Sequence, residues 1–482
     1  DSKVDLLLDS GTMSVSSQLD VVETKACDID SKVDLLLDSG TMSVSSQLDV
    51  VETKACDIDS KVDVLLDIDS CDMLIGQSDI PLVISTAGHY CLKEDVTFTT
   101  TAIVIDADDV LIDLNDYSIS GGGTCIGLAS GADNFTIRNG VLKDAIHGVL
   151  TLAFGVGLNN GFTCQNVTFE DCATAGIEFG DIASVILPPT PIQGNGFNVR
   201  DCVFINCDDA VRCGVADAQI KNCHAEIPDG VPSVLHFAGQ DILIEDCIFS
   251  EFSATLSSFY STTALVMRRC IAVNPAGSGF VIGSDFNNIL FEDCVARNAL
   301  GDTGFLLGGT GSSGVTQKHH VTLVRCIAEN CTIGFRFFKS VDSVAFDNIE
   351  CIDCIARGGT GVSASGFYLQ GVEQFVLDRC VSQNQAGNGF RIDYATPFGQ
   401  NGVLRDCVAQ RNDLDGFVMT GAMSNVLFQN CVAESNGGDG FDLSATSTDC
   451  KVIDCCAFTN GGIGVNNAGG DMNYVLGCSS IR

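Results

Sequence analysis

Few residues of this 482-residue chain have both the type and the spacing for chemistry. Two carboxylates stand side by side, Asp208 and Asp209, in the run "NCDDAVRC". Paired carboxylates suit glycoside hydrolysis, where one serves as general acid and the other as base for water. The next imidazoles downstream are His224 in "NCHAEI" and His236 in "LHFAG". Asp208, Asp209 and His224 are therefore the catalytic candidates. A turn between elements is the plainer reading of the aspartate pair, and the one favoured here. His319 and His320 fall in "GGTGSSGVTQKHHV", where a solvated loop outweighs a metal site. No nucleophile elbow, phosphate loop or metalloprotease motif is present.

Cysteine is the other reactive type. The chain has 25, without the paired CxxC spacing of a zinc site. Ten close a recurring segment, as in "NILFEDCVARN" (288–298), "VTLVRCIAEN" (321–330), "GVLRDCVAQRN" (402–412) and "NVLFQNCVAESN" (425–436). These are Cys247, Cys270, Cys294, Cys326, Cys354, Cys380, Cys407, Cys431, Cys455 and Cys478, spaced 23 to 32 residues apart. Stacked coils lie about 4.8 Å apart. Inward cysteines at equivalent positions then form a ladder of buried thiols, or neighbours bridge, since that spacing suits a disulfide. Both options stay open; "DCC" at 454–456, "CIDC" at 351–354 and the Cys202, Cys207 and Cys213 cluster are the best bridging candidates.

The elements that carry these residues follow from the same beat. Three residues before the aligned cysteines there is usually a large apolar side chain (Phe291, Leu323, Leu377, Leu404, Phe428), and two residues after mostly a small one (Ala296, Ala328, Ser382, Ala409, Ala433). Asparagine follows at offset four or five (Asn274, Asn298, Asn330, Asn384, Asn412, Asn436, Asn460), a residue that tolerates left-handed backbone at a corner. Between the cysteines runs a second beat of Gly then Phe, at 279, 304, 334, 366, 389, 416 and 440 for the glycine. A unit of about 24 residues with short β-rich pieces cannot bury its own apolar face; stacked units can. The expected fold is all-β, a parallel β-helix solenoid over 73–482, with most phenylalanines inside.

This pattern, together with "IPLVISTAGHYCLKEDVTFTTTAIVIDADDVLIDLNDYSISGGG" at 80–123, resembles the pectin lyase-like right-handed parallel β-helix superfamily. The resemblance implies right-handed coils over roughly 80–480. It implies no single function, because lyases, polygalacturonases, tailspikes, adhesins and structural proteins share the fold. Asp208-Asp209 resembles the paired-aspartate element of polygalacturonases, but their Gly-His-Gly and Arg-x-Lys are missing. Pectate lyases need a calcium-binding acidic cluster and a catalytic Arg or Lys, and basic residues here are scarce.

Residues 1–29, "DSKVDLLLDSGTMSVSSQLDVVETKACDI", recur without change at 30–58. Steps of three and four among Leu19, Val22, Ala26 and Ile29 favour helices near 17–38 and 46–68, while Met13, Val15, Leu19 and Val21 also permit strand. Either way, residues 1–72 form a one-sided apolar stripe that needs a partner. The final "YVLGCSSIR" has no polar cap for an open coil end. Together these features predict a homo-oligomer, filament or trimer, assembling through Leu19, Val22, Leu48 and Val51, with Cys27, Cys56 and Cys71 as cross-link candidates. With 62 acidic against 25 basic residues, the net charge of −37 repels nucleic acid and anionic membranes. No apolar run is long enough to insert in a membrane. No cofactor is expected, calcium being the one ion the acidic surface would suit. The chain starts at Asp1, which fits a processed, exported protein. The expected function is a non-enzymatic structural subunit of an extracellular or cell-surface fibre. The rival expectation is a polysaccharide-binding or polysaccharide-degrading protein using its outer wall as a sugar groove.

Overall fold

The computed structural model describes residues 71–481, apart from 153–159, 180–194, 228–232, 239–240, 252–254, 261–263, 283–287, 300, 310–319, 340–347, 362–363, 395–400, 444–445 and 468–473. The chain divides into two units, Asp1–Cys71 and Asp72–Arg482. The expected N-terminal helices lie outside the described residues, as do Leu19, Val22, Cys27, Leu48, Val51 and Cys56. Cys71 is disulfide-bonded and has no free thiol to offer another subunit.

Apart from one 3-10 turn at Gln77–Asp79, the described elements of the second unit are strands, paired in parallel from coil to coil. Each coil contributes to three walls. The first runs through Leu265–Arg268, Ile289–Glu292 and Val321–Val324. The second runs through Ile271–Val273, Val295–Arg297 and Ile327–Glu329. The third consists of two eight-stranded sheets. One spans Leu82–Ile84 to Thr255–Tyr260, the other Phe280–Ile282 to Val465–Asn467, and they adjoin where Phe280–Ile282 meets Thr255–Tyr260.

The interior is filled column by column. Met267, Phe291, Leu323, Cys351, Leu377, Leu404 and Phe428 sit in register, all buried. The Gly-Phe beat builds a ladder of seven rings, Phe280, Phe305, Phe335, Phe367, Phe390, Phe417 and Phe441. Their centroids are 4.7–4.9 Å apart, which is the strand spacing. The glycine before each ring serves close packing. A Cβ on Gly304 would stand 2.7 Å from the Gly334 carbonyl oxygen and 3.0 Å from the Ala328 Cβ.

Every described cysteine other than Cys71 and Cys91 is a free thiol, so the bridging candidates at 351–354, 454–456 and 202–213 are not bridged. The aligned ones form the buried ladder. Cys294 Sγ, for example, donates to the Met267 carbonyl one coil back at 3.4 Å, and Cys407 Sγ to that of Leu377 at 3.3 Å.

The asparagine corner divides into two. At offset four, Asn274, Asn298, Asn330 and Asn384 hold φ of 51°–59°. At offset five, Asn412 and Asn436 are buried and pass side-chain hydrogen bonds along the stack, Asn412 to Asn436 at 2.9 Å and Asn436 to Asn460 at 3.0 Å. The left-handed position in those coils falls one residue earlier, on Arg411, Ser435 and Thr459. A second left-handed corner precedes the cysteines, occupied in turn by Asp246, Arg269, Asp293, Arg325, Asp353, Arg379 and Asp406. Neighbours of opposite sign pair there: Arg269 with Asp246, Arg325 with Asp293 and Arg379 with Asp353, each at 2.7 Å. These guanidiniums hold the three aspartates below the usual carboxylate range.

Candidate functional site

The third wall gathers reactive side chains from three successive coils, on the strands His147–Thr151, Ala175–Phe179 and Asp209–Cys213. The pattern is the Gly-Phe beat in an earlier form: Gly148-Val149, Gly176-Ile177, Ala210-Val211. Both residues of each pair face the core and are buried; a Cβ on Gly148 would strike Phe169 and one on Gly176 would strike Phe204. Of the residues flanking each pair, His147, Leu150 and Arg212 are partly exposed, whereas Ala175, Glu178 and Asp209 are buried. Leu150, Glu178 and Arg212 stand in register on one side of it, and His147, Ala175 and Asp209 on the other.

Four of these form a network. His147 Nε2 lies 3.3 Å and Arg212 Nη1 3.5 Å from Glu178 Oε2, while Arg212 Nε donates to Asp209 Oδ2 in a close ion pair. Asp209 is only 1% exposed and Glu178 9%. The His147 imidazole, with Arg212 helping, holds the Glu178 carboxyl below its ordinary range. Glu178 Oε2 is buried and carries no aligned hydrogen bond among the described residues. Its contacts are charge contacts with unused bonding capacity.

This arrangement restricts the chemistry. Asp209 is sealed in and spends itself on Arg212, so it orients the guanidinium rather than meeting a substrate. Glu178 is held ionised, which makes it a poor acid and a good orienter of an imidazole. His147 is the proton carrier that the geometry offers, with Arg212 as the adjacent positive charge.

The candidates read from sequence are not brought together. Asp208 is exposed just ahead of its strand, whereas Asp209 opens the strand and is buried, so the two carboxylates do not share a cleft. Asp208 thus sits in the bend between strands, as the turn reading expects, and Asp209 opens the next strand. His224 lies on the second wall, exposed, with Nε2 3.2 Å from Ser250 Oγ. His147, Glu178 and Arg212 were not among the sequence candidates. Their signal was available: each flanks an inward pair in the wall's repeating beat.

Further along the same wall a second cluster collects Arg336, Tyr368 and Arg391 on consecutive rungs. Beyond it lies Asp442, whose carboxyl is pushed up by burial and by the nearby Asp415 and Asp439.

Residues 155–318 and 343–480 match the family described as the right handed beta helix region, and these stretches make up more than half of the chain. The chain belongs to that family. Its coils are thus right-handed, as the superfamily resemblance implies. A comparison with curated proteins found no match. Among solved structures, the chain is similar to the A-module of the Azotobacter vinelandii mannuronan C-5 epimerase AlgE4, at 13% identity over 82% of this chain and 89% of that one, TM-score 0.34. It is similar to a double mutant of the tailspike protein of E. coli bacteriophage HK620, at 12% identity over 81% and 72%, TM-score 0.41. It is also similar to the catalytic domain of a GH87 alpha-1,3-glucanase, at 11% identity over 77% and 63%, TM-score 0.37. At these values the likeness concerns the fold alone. No helix among the described residues is long and apolar enough to cross a membrane.

Proposed function

We propose that this β-helix protein binds and processes a polysaccharide along its third wall, with His147 and Glu178 as the proton-transfer pair and Arg212 as the fixed cation. The observation that carries the reading is the convergence of an imidazole, an ionised glutamate and an arginine from three successive coils on one outer face. A wall of parallel strands repeats its contacts every rung, which suits a ligand that is itself a repeat. The acid–base couple of a hydrolase is not what this network resembles, since one carboxylate is sealed and the other held ionised. Proton transfer through a glutamate-oriented imidazole, beside a cation that steadies developing negative charge, fits better. An extracellular or cell-surface location accompanies a polymeric ligand of this kind.

The test is a panel of neutral and acidic polysaccharides, followed for binding and for newly formed ends or unsaturated products. His147→Ala should abolish turnover while leaving most binding, and Glu178→Gln should lower it by about 10²-fold or more, the scale of a lost general base or its orienter. Turnover unchanged in both variants would remove the site from the chemistry.

A structural, self-assembling role is the second reading. The observation favouring it is the exposed apolar strand Tyr474–Leu476, with Tyr474 63% and Leu476 66% exposed. A coil of a second copy would cover it, as would further chain beyond Arg482. Sizing the protein with and without Leu476→Asp separates the cases: a shift to smaller species supports assembly through this strand, and an unchanged monomer rejects it.

A further inference from the structure

The second cluster on the third wall differs from a solvated patch in one respect: among the described residues its positive charge is not balanced. Arg336 Nη2 donates to Gln370 Oε1 at 3.2 Å, a neutral partner, and Arg336 has no carboxylate partner among the described residues. Arg391 Nη2 meets Asp393 Oδ2 at 2.7 Å. That one carboxylate is shared, because it also accepts the Tyr368 hydroxyl at 2.7 Å and the Thr420 hydroxyl. The cluster thus sets two guanidiniums against one carboxylate, in a chain of net charge −37. The Nε groups of Arg336 and Arg391 are buried and find no hydrogen-bond acceptor among the described residues. A half-buried cation with an unmet donor is costly unless something supplies the acceptor.

The geometry also holds the guanidiniums ready. Register places Tyr368 between Arg336 and Arg391. The Arg336 guanidinium carbon lies 5.5 Å and that of Arg391 4.9 Å from the Tyr368 ring centroid, and Arg336 also lies 5.2 Å from the Phe338 ring. Cation–π contacts on both sides fix two planar forks at little further entropy cost. Burial, with Asp393 beside it, pushes the Tyr368 hydroxyl up to about 12, so it remains a donor. Such forks match the oxygens of a carboxylate or sulfate. Leu306 continues the same column on one side and is partly exposed, apolar ground for the face of a neighbouring sugar ring.

We propose that Arg336, Tyr368 and Arg391 form a subsite for an anionic sugar, a saccharide unit carrying a carboxylate or a sulfate. The inference deepens the polysaccharide reading by naming the charge class of the glycan.

The experiment is calorimetric titration of the full chain with three probes: hyaluronan oligosaccharides, which carry carboxylates; chondroitin sulfate oligosaccharides, which carry both anions; and neutral maltoheptaose. The variants are Arg336→Gln, Arg336→Lys and, as a control for general charge loss, Arg411→Gln at an exposed corner, with circular dichroism to confirm folding. The expected result is preference for one or both anionic probes. Arg336→Gln should lose at least tenfold in affinity, Arg336→Lys should lose less, and Arg411→Gln should match the parent. Preference for the sulfated probe alone would assign the site to sulfate; equal binding of both anionic probes would assign it to carboxylate. Equal loss in Arg336→Gln and Arg411→Gln would overturn the subsite. Binding of maltoheptaose as tight as the anionic probes, or of maltoheptaose alone, would overturn this inference and leave the polysaccharide reading standing. Binding of none of the three would remove both.

Discussion

Arg212 and Arg336 point outward from the two adjoining sheets of the same wall, about five rungs and therefore about 24 Å apart. Their surroundings differ in charge balance. Arg212 is held between Glu178 and Asp209, both largely buried, whereas Arg336 meets a neutral amide and two aromatic rings. The same residue type on the same wall is thus a cation fixed by two carboxylates in one region and a donor with unmet capacity in the other. Residue identity at a wall position says little until the neighbouring coils are known, because each coil supplies one outward side chain per column and partners come from the coils above and below.

The largest effect should come from removing each arginine in turn. Arg212→Met leaves two carboxylates without their cation and should cost about 3 kcal/mol, as expected for breaking a buried pair. Arg336→Met leaves no paired carboxylate behind among the described residues and should stay within about 0.5 kcal/mol. Urea midpoints at unchanged slope report both. Equal losses would erase the contrast.

Next in size are the glycines that bring each cluster close to its neighbours. A Cβ on Gly176 would meet Phe204 at 2.7 Å and the Ala210 carbonyl oxygen at 2.9 Å; one on Gly389 would meet the Gly416 carbonyl oxygen at 2.4 Å. Gly176→Ala and Gly389→Ala should each cost about 1–3 kcal/mol by overpacking. Gly176→Ala should disturb only the His147–Glu178 site, and Gly389→Ala only the arginine–tyrosine cluster. Turnover and anionic-glycan affinity, measured on both variants, check the separation.

Acid titration sharpens the comparison along the wall. The Glu178 carboxyl is lowered in the folded chain, so its stabilisation is full above the ordinary glutamate range and is lost as pH falls through its folded value. Asp442 is raised, so its ionisation opposes folding, and that penalty is relieved as pH falls below its folded value. Glu178→Gln should therefore flatten the loss of stability on acidification. Asp442→Asn should raise stability at neutral pH and leave it unchanged in acid. Thermal melts between pH 3 and 7 would show these opposite signs, and parallel behaviour of the two variants would refute the assignment of opposite shifts.

The smallest effect belongs to the exposed corner before the cysteines. Arg325 sits at φ 52° with its guanidinium on Asp293. Arg325→Gly removes an exposed ion pair but relieves a left-handed backbone, so the melting temperature should stay where it is.

Much of the solenoid was legible in the chain. The cysteine beat placed the thiol ladder, the Gly-Phe beat placed the ring ladder, and the small residues after most of the cysteines placed the alanine column, because these inward columns repeat one kind of side chain from coil to coil. The asparagine corner was read as one feature and is two, since a shift of one residue changes a backbone corner into a buried amide ladder. The Asp/Arg corner before the cysteines went unread, as those residues vary in charge and share only their φ. The wall clusters went unread for a related reason. His147, Glu178 and Arg212 are separated by some 30 residues, and outward positions carry no repeating identity to align. The signal was the residue after each Gly-Phe pair, which is Arg336, Tyr368 and Arg391 in three successive coils. Adjacent aspartates at 208 and 209 drew attention because sequence neighbours are visible, whereas strand neighbours on opposite faces are not partners.

The most direct test is a crystal structure of the chain with an acidic oligosaccharide long enough to span both clusters. Sugar density should run along the third wall, with one ring against His147 and Glu178 and an anionic group within hydrogen-bond distance of Arg336 or Arg391. Density confined to the first or second wall, with the third wall bare, would contradict it.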